Sequence, residues 1–316
     1  VVALVLLSSA LGCTSTDATD ESAPPSSGPA EVAASADNGG PSGSEGDHPG
    51  DDPYGTIVVE HGIGPDERLA AVHLGTGEVQ LITDAPAFGP RLSPDGGQVA
   101  ATRVEGSQGE VWLVGTDGTD RGPVTSGACP AWTTRGLLVA TGDGAIDLVS
   151  LDGSVLTRRL GSGTENRCAV EAPGGLVVFA QTDRIELHRD GDVEELVTMA
   201  GCGLGTVGVR GDQPTIAFAA ACDDDRSGLY VMDLDAEQPR QVLATETYGA
   251  AWSPDGGWLA TARLDRDSGE YELVVLRADG SDVRVIETPG PVNNPTWGPS
   301  RVAAGGSSET AAGIDP

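Results

Sequence analysis

Five cysteines, four histidines and two knots of carboxylates are the side chains in this sequence whose type and spacing could do chemistry. The cysteines are Cys13, Cys129, Cys168, Cys202 and Cys222, and none stands in a Cys-x-x-Cys pair, the spacing from which thiolate zinc sites are built. Asp223-Asp224-Asp225 and Asp265-Arg266-Asp267-Ser268-Gly269-Glu270 gather oxygen ligands. The second alternates carboxylates toward a glycine, as part of a calcium loop does, but lacks the bidentate Glu at the proper distance. Solvated turns are the plainer reading of both, with calcium as the alternative. His48, His61, His73 and His188 are scattered over linker, strand and turn contexts. No nucleophile elbow, zinc-binding helix or phosphate loop is present in the sequence. Catalysis, a metal and a cofactor are therefore not expected, and the chemistry that the spacing supports is that of cysteine itself.

An odd cysteine count in an exported protein asks which thiol is engaged elsewhere. Val1–Leu11 is an apolar run followed by Gly12-Cys13. Roughly a dozen residues fall short of the ~20 needed to span a bilayer but match a signal-peptide core. Ala10-Leu11-Gly12-Cys13 resembles the lipobox of bacterial lipoproteins, with Ala in place of the usual Leu at its first position. The resemblance implies a signal peptide over residues 1–12 and lipidation of Cys13, hence attachment to the outer face of the cytoplasmic membrane. An ordinary secretory signal with an incidental Cys is the alternative. Residues 14–53 are mostly Ser, Ala, Gly, Pro, Asp and Glu, with Val32 the one large aliphatic side chain. Such a stretch cannot bury enough apolar surface to offset its ordering entropy, so it is expected to be a disordered tether spanning about 35 Å.

Charge narrows the partners. The net charge is −30, and all 18 basic residues are Arg. A chain this acidic is repelled at range by nucleic acid and anionic headgroups, so no nucleic-acid partner is expected. With 46 Gly and 21 Pro but few aromatics, the composition favours many short strands joined by turns over packed helices.

The elements that would position these residues are repeated. Ser93-Pro94-Asp95-Gly96 returns 160 residues later as Ser253-Pro254-Asp255-Gly256, four steps of a repeat of about 40. Leu92, Trp132, Trp252 and Trp297 share the slot just before a turn, with weaker counterparts near Glu171 and Gly208. Asp117-Gly118, Asp152-Gly153, Asp190-Gly191 and Asp279-Gly280 mark a second turn, with Thr76-Gly77 and Asp235-Ala236 as variants. The Asp of each Ser-Pro-Asp-Gly reads as a turn-former that bonds neighbouring backbone rather than as a catalytic acid. Cutting at the repeat gives five units, 84–126, 127–163, 164–199, 200–246 and 247–290. Residues 54–83 and 291–306 then supply the last three strands and the first strand of a sixth. The expectation is an all-β, six-bladed propeller of four-stranded blades over residues 54–306, closed by its N- and C-terminal strands, with a flexible tail over 307–316. A seventh blade is the alternative count, because Arg301–Ala304 also reads as a strand.

The unit, Trp-Ser-Pro-Asp-Gly and then strands such as Leu229–Asp235, resembles the Pro-Asp-type, WD-like repeats of TolB-family propellers, most closely over Ala251–Gly257 and Phe88–Gly97. The resemblance implies a fold and carries little about function. Binding to a peptidoglycan-associated partner is not implied, since the separate N-terminal domain of that family has no counterpart in the tether.

Four cysteines allow three pairings. A hairpin turning at Gly211-Asp212 sets Cys202 opposite Cys222, and Cys129 and Cys168 begin the innermost strands of neighbouring units. Cys202–Cys222 and Cys129–Cys168 are the expected disulfides. Two functions compete. One is a tethered scaffold binding a protein, peptide or glycan. The other is a lactonase-, hydrolase- or dehydrogenase-like propeller with an ion or cofactor at the channel mouth. An enzyme needs polar groups from several blades converging on the axis, whereas the inner strand starts offer Arg91, Pro130, Ala169 and Ala250, with Asn293 and Asn294 near the closure.

Overall fold

Strands read as near-continuous Val/Leu/Ile/Ala runs must bury both faces, and a ring of stacked sheets is one arrangement that lets every strand do so. In the computed structural model, which describes residues 52–64, 67–105, 108–160, 168–189 and 192–300, such a ring is formed. Residues 1–51, with Cys13, and 301–316 lie outside the described residues, as does the Asp190-Gly191 turn.

Six antiparallel sheets succeed one another. Blade one runs outward in chain order through Phe88–Leu92, Gln98–Glu105, Gln108–Gly115 and Asp120–Ser126. Blades two, three and five repeat this from the inner strands Ala128–Thr133, Cys168–Ala172 and Thr247–Trp252. Blade four begins with two short pieces, Cys202–Leu204 and Gly208–Val209, both paired to Thr215–Cys222. The inner strand of blade four is therefore a broken one. Gly205 N bonds Ala219 O in between, and the register moves by one residue across the break.

The sixth blade closes the ring as expected. Its inner strand is Val292–Gly298, and its outer three are Thr56–His61, Arg68–His73 and Glu78–Leu81. Trp297 pairs with Ile57 and Val292 with His61, so strands from opposite ends of the sequence share one sheet. The inner strands touch in the order blade one to six and back to one. No α-helix occurs among the described residues.

Period-two alternation then sews the blades together. Ile216, Phe218 and Ala220 pack into the seam with blade three against Ile185, Leu187 and Val197. Ala217, on the same strand, packs into the seam with blade five against Leu259 and Trp252. Each seam is a small apolar core, and the domain's stability is divided among several such cores rather than gathered in one.

Candidate functional site

The inner strands share a local device. Gly89, Cys129, Gly249 and Asn294 all have positive φ, at 59°, 50°, 73° and 43°. Each lies three residues before the slot held by Leu92, Trp132, Trp252 or Trp297. Each also sits where the pairing with the next strand slips, a β-bulge that bends the innermost strand. Blade three pairs without such a slip, and blade four has its break instead.

Beyond the bulges the inner strands end around a pit of about 180 Å³, lined by residues from all six blades. Trp132, Trp252 and Trp297 supply its broad walls, Val170 and Val209 its small ones, and Arg91 its one charged side chain. Two of the three tryptophans are fixed from behind, while the buried Nε1 of Trp252 has no hydrogen-bond partner among the described residues. Trp132 Nε1 donates to Arg91 O at 2.7 Å and Trp297 Nε1 to Tyr54 O at 2.8 Å. The slot is filled by Val209 in blade four, where Val209 pairs with Ile216 as Trp252 pairs with Leu259.

Arg91 leads to a second, polar group. Its guanidinium is electrostatically coupled to Glu60, which is 5% exposed. Glu60 Oε1 accepts from Gly89 N at 2.5 Å and from Asn294 Nδ2 at 2.8 Å. Glu67, also 5% exposed, hydrogen-bonds Glu60 and Asn293. Burial, reinforced by the charge of Glu60, pushes the Glu67 carboxyl up to about 8. Burial likewise raises Glu60, against the pull of its donors, and lowers Arg91. Tyr248 completes the cluster with a hydrogen bond to Asn294, and its hydroxyl is raised by burial and then by Glu60.

Of the strand-start residues singled out from sequence, Arg91 and Asn294 converge here, joined by Asn293. Ala169 packs into the seam with blade two beside Ala131 and Leu138, and Ala250 lines the pit. Glu60 and Glu67 were missed. Their signal is positional: Glu60 occupies the second-strand site that is Thr102, Ala140, Ala180, Ala219 and Ala262 in the other blades, so a large acid stands where small residues otherwise serve. Thr102 Oγ1 accepts from Cys129 N at 3.2 Å, the smaller version of the contact from Glu60 to Gly89.

Both expected disulfides are formed. Cys129–Cys168 joins the inner strands of blades two and three with Cα atoms 5.3 Å apart, and Cys202–Cys222 crosses within blade four at 4.2 Å. The two Ser-Pro-Asp-Gly turns are built alike. Asp95 Oδ1 accepts from Ser93 Oγ at 2.5 Å and Gly97 N at 3.1 Å, and Asp255 Oδ1 from Ser253 Oγ at 2.5 Å and Gly257 N at 3.0 Å. Pro94 and Pro254 hold the turns, while Gly96 and Gly256 take positive φ. The carboxylate loops are engaged locally: Asp224 binds Arg226, and Asp265 accepts from Asp267 N and Ser268 Oγ. No group of three or more His, Cys, Asp or Glu side chains able to hold a metal occurs among the described residues.

No family model and no curated protein matches the sequence. Solved structures do. TolB from Acinetobacter baumannii aligns with a TM-score of 0.66 at 18% identity, over 78% of this chain and 67% of that one. A chain of the nidogen/laminin complex aligns at 0.59 and 11% identity, over 76% of this chain and 97% of its own. The tricorn protease aligns at 0.55 and 17% identity over 75% of this chain, which matches 26% of the protease. At these identities the likeness is one of fold, a six-bladed β-propeller similar to that of TolB.

Proposed function

We propose that the protein is an extracytoplasmic binding scaffold, tethered through a lipid at Cys13, whose propeller receives an apolar segment of a protein or peptide in the tryptophan-lined pit. The pit carries this reading. Trp and Arg side chains held on a rigid frame are the groups that dominate protein recognition, and here Trp132 and Arg91 are half-buried while Trp252 and Trp297 are buried in the wall and offer only their edges to the pit. A glycan would need more hydrogen-bonding side chains than Arg91 and Thr296 provide among the pit's lining. Two disulfides fit an oxidising compartment outside the cytoplasm. The buried glutamates do not favour an enzyme, since Glu60 is held by Gly89 and Asn294 within the ring closure.

A photo-crosslinking residue at Val170 or Val209, on the pit wall, tests the reading in native membranes. Adducts are expected there and not from the same residue at Val193, on the outer edge of blade three. Adducts from the edge alone would overturn it. The tether is tested separately. Cys13→Ser is expected to move the protein from the membrane to the soluble fraction, because each buried lipid methylene stabilises by about 0.8 kcal/mol. Unchanged fractionation would exclude lipidation.

A further inference from the structure

The polar cluster behind the pit has an uneven charge count. Two carboxyls, Glu60 and Glu67, are both buried, and they touch each other. The groups acting on the two carboxyls from the packed elements are Arg91 of blade one, Tyr248 of blade five, and Asn293 and Asn294 of the C-terminal closing strand, while Arg68, next to Glu67 in sequence, donates to the Glu67 main-chain carbonyl at 3.0 Å. One arginine balances one negative charge. Two carboxylates in hydrogen-bond contact cannot both be ionised without leaving a buried charge uncompensated, so the pair holds one proton between them. His61 and His73 lie on neighbouring strands; His73 bonds Thr56 at the far end, and His61 pairs with Arg68 and Val292.

Location gives the pair its meaning. Glu60 is on the N-terminal closing strand and Asn294 on the C-terminal one, and their 2.8 Å bond spans 234 residues of sequence. Glu60 also holds Gly89 of the adjoining blade. Asn294 is one of three non-glycine residues with positive φ among the described residues, in a slot where blades one and five use glycine. Asparagine is among the non-glycine residues that tolerate this conformation best, and unlike glycine it supplies a side chain, which goes to Glu60.

We propose that Glu60 and Glu67, sharing one proton, form a pH-sensitive latch on the propeller closure, locked when the proton is present and loosened when it leaves to solvent. The protonated oxygen of Glu67 donates to the Glu60 carboxylate, which stays neutralised by Arg91. Loss of the proton to water leaves two anions facing each other, and the repulsion falls on the contact between the closing strands.

The sign follows from linkage. An acid whose folded value lies above its unfolded one stabilises fully below the unfolded value, here 4.5, and loses that contribution as pH rises to about 8. For one proton the folding constant falls by up to about tenfold per pH unit in that window.

The test is urea unfolding of the full chain between pH 5 and 9, comparing wild type with Glu67→Gln, whose amide keeps a donor but does not titrate. The background repulsion of a highly acidic chain is common to both. Wild type is expected to lose at least tenfold in folding constant relative to the variant between pH 5 and 9, while His61→Asn follows wild type. Parallel curves for wild type and Glu67→Gln would overturn the latch, as would loss of the difference in His61→Asn. Where the variant fails to fold, wild type alone decides by infrared spectroscopy. A protonated carboxylic-acid band present at pH 7 and lost by pH 9 supports the shared proton, and its absence at pH 7 overturns it. Hydrogen exchange places the effect: amides of Val292–Gly298 should lose protection at high pH relative to those of Ala128–Thr133. Equal loss in every blade would mean a titrating pair that is not a latch.

Discussion

Cys129 and Asn294 occupy the same slot in two blades, three residues ahead of Trp132 and Trp297, with φ at +50° and +43°. Gly89 and Gly249 fill that slot in blades one and five, where the conformation costs nothing sterically. The two non-glycine residues are the two that reach another strand. Cys129 is bonded to Cys168, and Asn294 donates to Glu60. A left-handed residue costs roughly 1–2 kcal/mol without glycine, and in each case a crosslink offsets it.

Asn294 can therefore be separated into backbone and side-chain parts. Asn294→Ala keeps the unfavourable φ and strips a buried carboxyl oxygen of a donor, a loss of about 1–3 kcal/mol. Asn294→Gly loses the same bond but relieves the backbone by about 1 kcal/mol. The alanine variant should be the less stable in urea. The reverse order would mean that the left-handed backbone at residue 294 carries no cost, and an Asn294→Gly variant as stable as wild type would mean that the side chain is idle.

The disulfides close loops of 39 and 20 residues by sequence separation. On the chain-entropy model each contributes about 3–4 kcal/mol, with the longer loop slightly ahead. Cys129→Ala/Cys168→Ala should destabilise by the larger amount. It also leaves residue 129 with positive φ and no crosslink to hold it. Cys202→Ala/Cys222→Ala leaves an ordinary strand pair in register, and its loss should be nearer to 3 kcal/mol. Equal or inverted losses in urea melts would remove the role assigned to the Cys129 slot.

The twin turns give a sharper contrast than their shared sequence suggests. Gly96 and Gly256 have the same φ, +68°. A Cβ at Gly96 would collide with the Pro299 carbonyl of the closing blade, whereas at Gly256 it would meet the Arg210 guanidinium. Backbone cannot move aside, and a long side chain can. Gly256→Ala should cost about 1–2 kcal/mol, mostly for φ, and Gly96→Ala clearly more. Similar losses by thermal unfolding would mean that the closing blade yields at Pro299.

Much of this fold is legible in the sequence because propeller blades repeat. Each Asp-Gly or Ser-Pro-Asp-Gly turn fixes a hairpin, and the hairpin register alone places Cys202 opposite Cys222. What repetition hides is the exception. The inner strand of blade four breaks at Gly205, where glycine and threonine give no period to follow. Glu60 looks like the end of a solvated strand until Val292–Gly298 is laid beside it, and only that long-range pairing buries it. Glu67 is less legible still, because it sits outside any strand and owes its burial to the closure.

Closure is where the fold can be tested most directly. Val292–Gly298 is held to Thr56–His61 by strand pairing, to blade one by the bond from Leu92 N to Thr296 Oγ1 at 3.0 Å, and to blade five by side-chain packing. A chain ending at Pro289 would lose this strand and with it Trp297, which is 8% exposed, and Asn294. The second strand of the blade would become an open inner edge, Glu60 would lose a donor, and the seams to blades one and five would face water. Truncating one large buried aromatic alone costs about 3–5 kcal/mol, a large share of the roughly 5–15 kcal/mol that domains have. The truncated chain should aggregate or unfold. The strand supplied as a separate peptide, residues 288–300, should restore solubility by rejoining the sheet, since its partners are otherwise intact. A soluble, monomeric truncation with an unchanged melting temperature would mean that the ring does not depend on this blade for its closure.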